Sequence, residues 1–237
     1  MVKSYACAGI LLFAIGLFPL MAQDNTVAKE MAIKIADRIV ASTVYEFKDV
    51  KTGKVYISLD NVSLNPDIRV NSKYLNWHYT NGVTNMALME LGDKIQNRKY
   101  EDYVLKNMKF IFDKINQSYF HRLYDKTFRE GGWRAVPRLT WHMIYRNKRL
   151  DDNGPMGASL ITLNQRHPDD AFQKYIETTN HHIMVSEPRL ADGTIARLWL
   201  MKIQFGQMMR LWRCLLFPEW ERLLVKRSIL MMRPIRY

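Results

Sequence analysis

The sequence predicts an all-α fold, on three observations. Apolar residues recur at helical spacing in one segment after another. Glycine, proline and Asx clusters fall between those segments, where turns are needed. No strand-helix alternation, phosphate-binding loop, Ser/His/Asp order or zinc-ligand spacing interrupts the pattern. At 237 residues the chain is long enough for one domain with a sizeable core.

The chain opens with Lys3 and an apolar run from Ala6 to Leu20, followed by Met21-Ala22-Gln23 and the polar Asp24. This pattern reads as a secretory signal peptide over residues 1–23, implying a periplasmic or secreted protein. The run is shorter than the roughly twenty residues a membrane span needs, so no stable insertion is expected after cleavage. Cys7 falls inside this segment without a leucine-led lipobox. Cys214 is then the only cysteine of the mature chain, so no intramolecular disulfide can form.

From Thr26 to about Phe47, Ala28, Met31, Ala32, Ile35, Ile39 and Val40 form one apolar stripe, with Lys29, Glu30, Lys34 and Asp37 opposite. A first amphipathic helix is expected there. Lys51 to Lys73 breaks the period with Thr52-Gly53 and Asn65-Pro66, and reads as a long loop with a short strand among Val55, Ile57 and Leu59. Trp77, Tyr79 and Asn81 then stand at the mouth of a second helix whose expected buried positions are Val83, Met86, Ala87, Met89 and Leu91. Aromatic rings there serve either core packing or a platform on which a sugar stacks.

A third helix is expected from Lys99 to Gln117, with Tyr103, Val104, Met108, Ile111, Phe112 and Ile115 inward and Glu101 in solvent. Past the Gly131-Gly132 break a further helix carries Trp141, Met143 and Ile144. The stretch Arg149 to Gly157, RLDDNGPMG, sets two carboxylates, an amide and two glycines at the opening of another helix. Asp151 and Asp152 are adjacent, so at most one can face a ligand while the other caps the helix or holds a neighbour; ordinary turn chemistry is the plain alternative. Gly157–His167 and Pro168–Val185 read as a helical pair. His181 and His182 are neighbours on a helix and do not face one metal, so no metal site is expected.

The formal charge of +12 would ordinarily point to nucleic acid or anionic membrane. Its distribution argues against nucleic acid: residues 198–237 hold eight Lys/Arg against two acids, half of the excess. Five methionines and three tryptophans crowd the same tail.

Taken together, the signal peptide, NWHYTNGV, KYEDYVLKNMKFIFD, RLDDNGPMGASL and RLADGTIAR resemble glycoside hydrolase family 105, the unsaturated rhamnogalacturonyl hydrolases, within the group shared with the family 88 glucuronyl hydrolases. The resemblance runs from about Asp24 to Arg197. It implies an (α/α)6 toroid, incomplete at this length, with no cofactor or metal. The implied substrate is an oligosaccharide ending in a 4,5-unsaturated uronic acid, of the kind polysaccharide lyases release. The implied reaction is acid-assisted hydration of the double bond, with one aspartic acid held protonated by burial beside a second carboxylate.

Matched to the family's motifs, Asp152 is the pocket carboxylate and Asp151 its alternate. Trp77, Tyr79 and Asn81 line the sugar pocket, and Arg189 and Arg197 flank a DGT loop able to meet the uronate. The family continues after Arg197 with a Trp-x-Asp segment supplying the principal acid, which this reading frame lacks. Read one base earlier, however, residues 203–209 permit Thr-Val-Trp-Ala-Asp-Asp, because each methionine fixes its codon. Residues 198–237 are therefore expected to be a frameshifted, non-native tail, leaving the chain inactive or nearly so. Two other classes remain open: a non-catalytic glycan-binding module, and a basic membrane-associated secreted protein.

Overall fold

The computed structural model describes residues 26–147, 150–190 and 193–195. The expected signal peptide, Arg149, Arg197 and the tail lie outside them. The described chain is all-α. Helix α1 spans residues 26–42. It is followed by α2 (Tyr79–Ile95), α3 (Lys99–Ile111), α4 (Lys114–Gly131), the short α5 (His142–Arg146), α6 (Leu150–Arg166) and α7 (Asp170–His181).

The expected first helix stops five residues early. Phe47 belongs to a strand, β1 (Phe47–Asp49), which pairs antiparallel with β2 (Val55–Tyr56) and β3 (Ile68–Val70) in the order β2-β1-β3. Phe47 is fully buried, its ring 5.1 Å from Phe110 and edge-on to Trp141. An aromatic anchor therefore sits where the helical period had seemed to continue. The turn after β1 is held by Asp49, whose Oδ1 accepts the amides of Lys51 and Thr52 while Oδ2 accepts from Asn65.

The expected helix from 99 to 117 is two helices. Asp113 ends the first and caps the second, accepting the amides of Ile115 and Asn116 at 3.0 and 3.1 Å. Ile115, expected inward, is exposed in α4's first turn. Tyr103, Val104, Met108 and Ile111 are buried as the period predicts.

Helices α2 and α6 lie side by side and parallel. Contacts step along both in the same direction: Tyr79 with Asp152, Gly82 with Pro155, Met86 with Thr162, and Asp93 with Arg166. The approach is closest at Gly82, where an added Cβ would lie 2.5 Å from the Met156 nitrogen and 2.7 Å from the Pro155 oxygen, with the Pro155 carbonyl carbon nearer still. Only a residue without a Cβ lets the two backbones meet there. Each of these helices turns back through a short connection, α2 into α3 and α6 into α7, the pattern of helical hairpins.

At the far end of this pair, Glu101 is mostly buried, not in solvent as the helical wheel suggests. Arg166 bridges Asp93 and Glu101, and His167 reaches the other Glu101 oxygen at 2.7 Å. Burial pushes the Glu101 carboxyl up, but the hydrogen bonds from His167 and Arg166 outweigh it and hold the group below the usual glutamate range.

One apolar stripe is left uncovered. Val27, Met31 and Ile35 of α1 are each more than half exposed, while Ala36 on the same helix is buried. The expected stripe through Met31 and Ile35 thus exists but does not face the core of the described residues. No helix among them is long and apolar enough to cross a membrane.

Candidate functional site

Because α2 and α6 are parallel, both N-termini open at the same end of the pair. His78 precedes α2 in extended conformation (φ −150°, ψ 147°), and its Nδ1 accepts the Thr80 amide. With Nδ1 accepting, a neutral ring carries its proton on Nε2. That nitrogen lies 3.8 Å from Asp152 Oδ1. The amide of Tyr79 donates to the same oxygen at 3.2 Å. Asp152 therefore does for α2 what an N-cap side chain would do, but from the neighbouring helix.

The segment read as a helix opening or a turn is helical from Leu150 onward. Asp151 and Asp152 occupy the first turn of α6, and Pro155 lies inside the helix. A proline there cannot donate to the Asp151 carbonyl one turn back. Asp152 is 5 % exposed, and Asp151 is partly buried. Sequence adjacency separates them, and it is Asp152 that meets α2.

Behind Asp152 lies a buried polar knot. Asn153, 1 % exposed, accepts from the Trp77 indole at 3.1 Å and from the Tyr175 hydroxyl at 3.2 Å, and donates to Asn147 at 2.7 Å. Trp77 packs edge-on against Tyr175, with ring centroids 4.9 Å apart, and against Phe112. Burial pushes the Tyr175 hydroxyl well above its ordinary value, so it stays a donor. The knot fixes the turn that carries Asp152, because rotating Asn153 would strand two buried donors.

The sequence-predicted residues thus divide into three sets. Tyr79 and Asp152 meet directly, and Tyr79 is 40 % exposed with its ring 4.5 Å from that of His78. Trp77 and Asn81 lie beneath this surface. Trp77 belongs to the core, where its ring supports the Asp152 turn and is not an open platform. The Asn81 amide ties the entering chain to α2, donating to the carbonyls of Lys73 and Asn76 at 2.8 Å each. Arg189 stands apart on the final loop, where its guanidinium donates to the carbonyls of Gly193 and Ile183 and closes the small Arg189–Ile195 bridge. Of the other two, Asp151 lies beside Asp152 in the first turn of α6, and Arg197 falls outside the described residues.

Two residues of the site were not singled out by the sequence. His78 was hidden because a cap histidine has no periodicity; its place directly before an Asx/Thr-bearing helix start was the available signal. Asn153 was hidden inside an Asp-Asn-Gly run that reads equally well as a turn. No group of three or more potential metal ligands occurs among the described residues.

What the site presents is a half-exposed imidazole and phenol ring over a nearly buried carboxylate, at the paired N-termini of two helices. Such a surface can hold a hydroxyl-rich ring against Tyr79 while Asp152 and His78 accept or move a proton. Compared with family models and with curated proteins, the sequence finds no match.

Proposed function

We propose that this chain forms the first part of an (α/α)6 toroid of a periplasmic or secreted glycoside hydrolase acting on 4,5-unsaturated uronyl oligosaccharides. The single observation that carries the proposal is Asp152, nearly buried and tied through Oδ1 to the Tyr79 amide where α2 and α6 open side by side. Parallel neighbours that each return through a hairpin are what adjacent units of a helical ring provide.

In the proposed reaction a proton goes to C4 of the unsaturated ring and water adds at C5. The resulting hemiketal opens and expels the attached sugar, so one water is consumed for each bond broken. Asp152 is one carboxylate of the acid pair, with Asp151 as its alternate, and Tyr79 is the stacking face. The second acid belongs to the Trp-x-Asp sequence that the shifted frame allows. Arg197 would meet the uronate, while Arg189, its guanidinium held by the Gly193 and Ile183 carbonyls, would brace the loop before it.

The test is a nuclear magnetic resonance titration of the chain with an unsaturated uronyl disaccharide and, separately, with its saturated counterpart. The unsaturated sugar should shift the amides of Tyr79 to Gly82 and of Asp152 and Asn153, and the saturated one should leave them in place. Shifts confined to other residues, or equal shifts with both sugars, would overturn the proposal.

A further inference from the structure

Helix α4 has no part in the site just described. Lys114, Ser118, Arg122, Lys126 and Glu130 recur every fourth residue and are all exposed, a ridge that winds gradually around the helix as it runs along it. The ridge is about 24 Å long at 1.5 Å per residue. Beside it runs the loop 59–66, pinned to the helix midway by Tyr119. The Tyr119 hydroxyl donates to the Ser63 carbonyl and accepts the Asn65 amide, both at 3.0 Å.

Between loop and helix lie two clefts. One, of about 430 Å³, is bounded by residues 59–63 and by Lys114, Ser118 and Arg122. The other, of about 410 Å³, is bounded by Leu64 and Pro66, by Lys126 and Glu130, and by Arg138 beyond the helix end. Ser63 and Leu64 are consecutive, as are Arg122 and Leu123, so the clefts follow one another along the same seam.

Four cations border this seam against two carboxylates, Asp60 and Glu130. Among the described residues, Lys114, Arg122, Lys126 and Arg138 form no ion pair with an acid. At the far end the guanidinium of Arg69 is bound to the Pro66 and Ile68 carbonyls and repelled by Arg138. The walls otherwise offer hydroxyls and an amide, from Ser63, Ser118, Thr127 and Asn61, over an aliphatic floor.

We infer that the seam between α4 and the loop 59–66 is a binding groove for an extended acidic oligosaccharide, separate from the site at Asp152. Clefts of about 410 and 430 Å³ are of a size that accepts a small ligand, and two in line with spaced cations suit a linear chain bearing repeated carboxylates or sulfates. Single-stranded nucleic acid is the weaker fit, because no aromatic face lines the groove for bases to stack on. The ligand class rests on the uronyl reading proposed above, while the groove rests on its own residues.

The test measures binding of a saturated galacturonate hexamer to the full chain by calorimetry at low salt. A neutral hexasaccharide and a short single-stranded DNA of equal charge are run alongside. The acidic hexamer should bind, weaken with salt, and lose about tenfold or more in affinity in the double variant R122E/K126E. The same charge change on α1, in K29E/K34E, should leave most of the affinity, and so should Asp152→Asn. Circular dichroism confirms that each variant is folded. The inference is overturned by the absence of hexamer binding, by equal loss in both charge-reversal variants, or by DNA binding as tightly as the hexamer. If Asp152→Asn abolishes binding and R122E/K126E does not, the acidic chain lies in the proposed catalytic site, and the groove fails while that site stands.

Discussion

Replacing Gly82 by alanine sets two effects of opposite sign against each other. Alanine is the better helix former by about 1 kcal/mol, so in open space it would stabilise α2. At position 82 the new Cβ lands 2.5 Å from the Met156 nitrogen and 2.7 Å from the Pro155 oxygen, more than half an ångström inside normal contact. The obstacle is the backbone of α6, which cannot rotate aside as a side chain can. Overpacking of this kind costs about 1–3 kcal/mol and more where the backbone must move. The upper end of that range applies here, so the net loss should be about 2 kcal/mol, or about 4–8 °C in Tm for a domain of this size. Gly154 is the control. It lies on the partner helix with nothing within 4 Å of its Cβ position and without a positive φ, so Gly154→Ala should gain up to about 1 kcal/mol. Urea and thermal melts followed by circular dichroism read both variants. Hydrogen exchange adds a local readout, since pushing α2 from α6 should expose the Tyr79 amide bonded to Asp152. Equal signs for the two variants, or an unchanged melt for Gly82→Ala, would refute the claim that α2 and α6 meet backbone to backbone.

Three further outcomes are expected. Asn153→Ala leaves the Trp77 indole and the Tyr175 hydroxyl without their buried acceptor, and should cost about 2–4 kcal/mol in urea melts with a change in tryptophan fluorescence; a neutral result would show that the knot does not hold the Asp152 turn. The folded Glu101 carboxyl titrates below its unfolded value of about 4.3. Its stabilisation is therefore present above that pH and lost as pH falls through the lower folded value, so acid unfolding should be less steep in Glu101→Gln, and an unchanged pH profile would count against the cluster. The gene, when sequenced around the Trp199 codon, should open a frame encoding Trp-x-Asp-Asp on a single-base insertion; a frame without it would end the frameshift account.

Several features were legible in the residues. The all-α class and a helix opening near Tyr79 follow from helical period, which is a local signal, whereas the shared site of Tyr79 and Asp152, 73 residues apart, was expected only from the family resemblance. The inward face of α2 was legible only in part. Hydrophobic periodicity nominated Met89, which is buried, and Met86 and Leu91, which pack on the core, but also Val83 and Ala87, which are exposed, while Asn81, Gly82 and Asn85 are buried. The neighbour decides this at Gly82, where the backbone of α6 leaves no room for a Cβ. Phe47 was missed because an aromatic at the end of a helical stripe fits either period, and its stacking with Phe110 and Trp141 is a contact between distant parts of the chain. Glu101 was read as solvent-facing because its partners, Arg166 and His167, lie some 65 residues away. Arg189 was read as a carboxylate partner from its flanking DGT loop, but the described loop folds back and binds its guanidinium through carbonyls.

The central claim is that Asp152, at the shared opening of α2 and α6, serves the hydration of an unsaturated uronide. The direct measurement is loss of double-bond absorbance from an unsaturated uronyl disaccharide, with three proteins: the chain as it stands, the chain with the shifted frame restored after Trp199, and the restored chain carrying Asp152→Asn. The asparagine keeps an oxygen to accept the Tyr79 amide, so fold and stability should be retained while the carboxylate is lost. The account predicts turnover by the restored protein alone. Turnover that survives Asp152→Asn, or a folded restored protein that binds the disaccharide and never consumes it, would contradict the account.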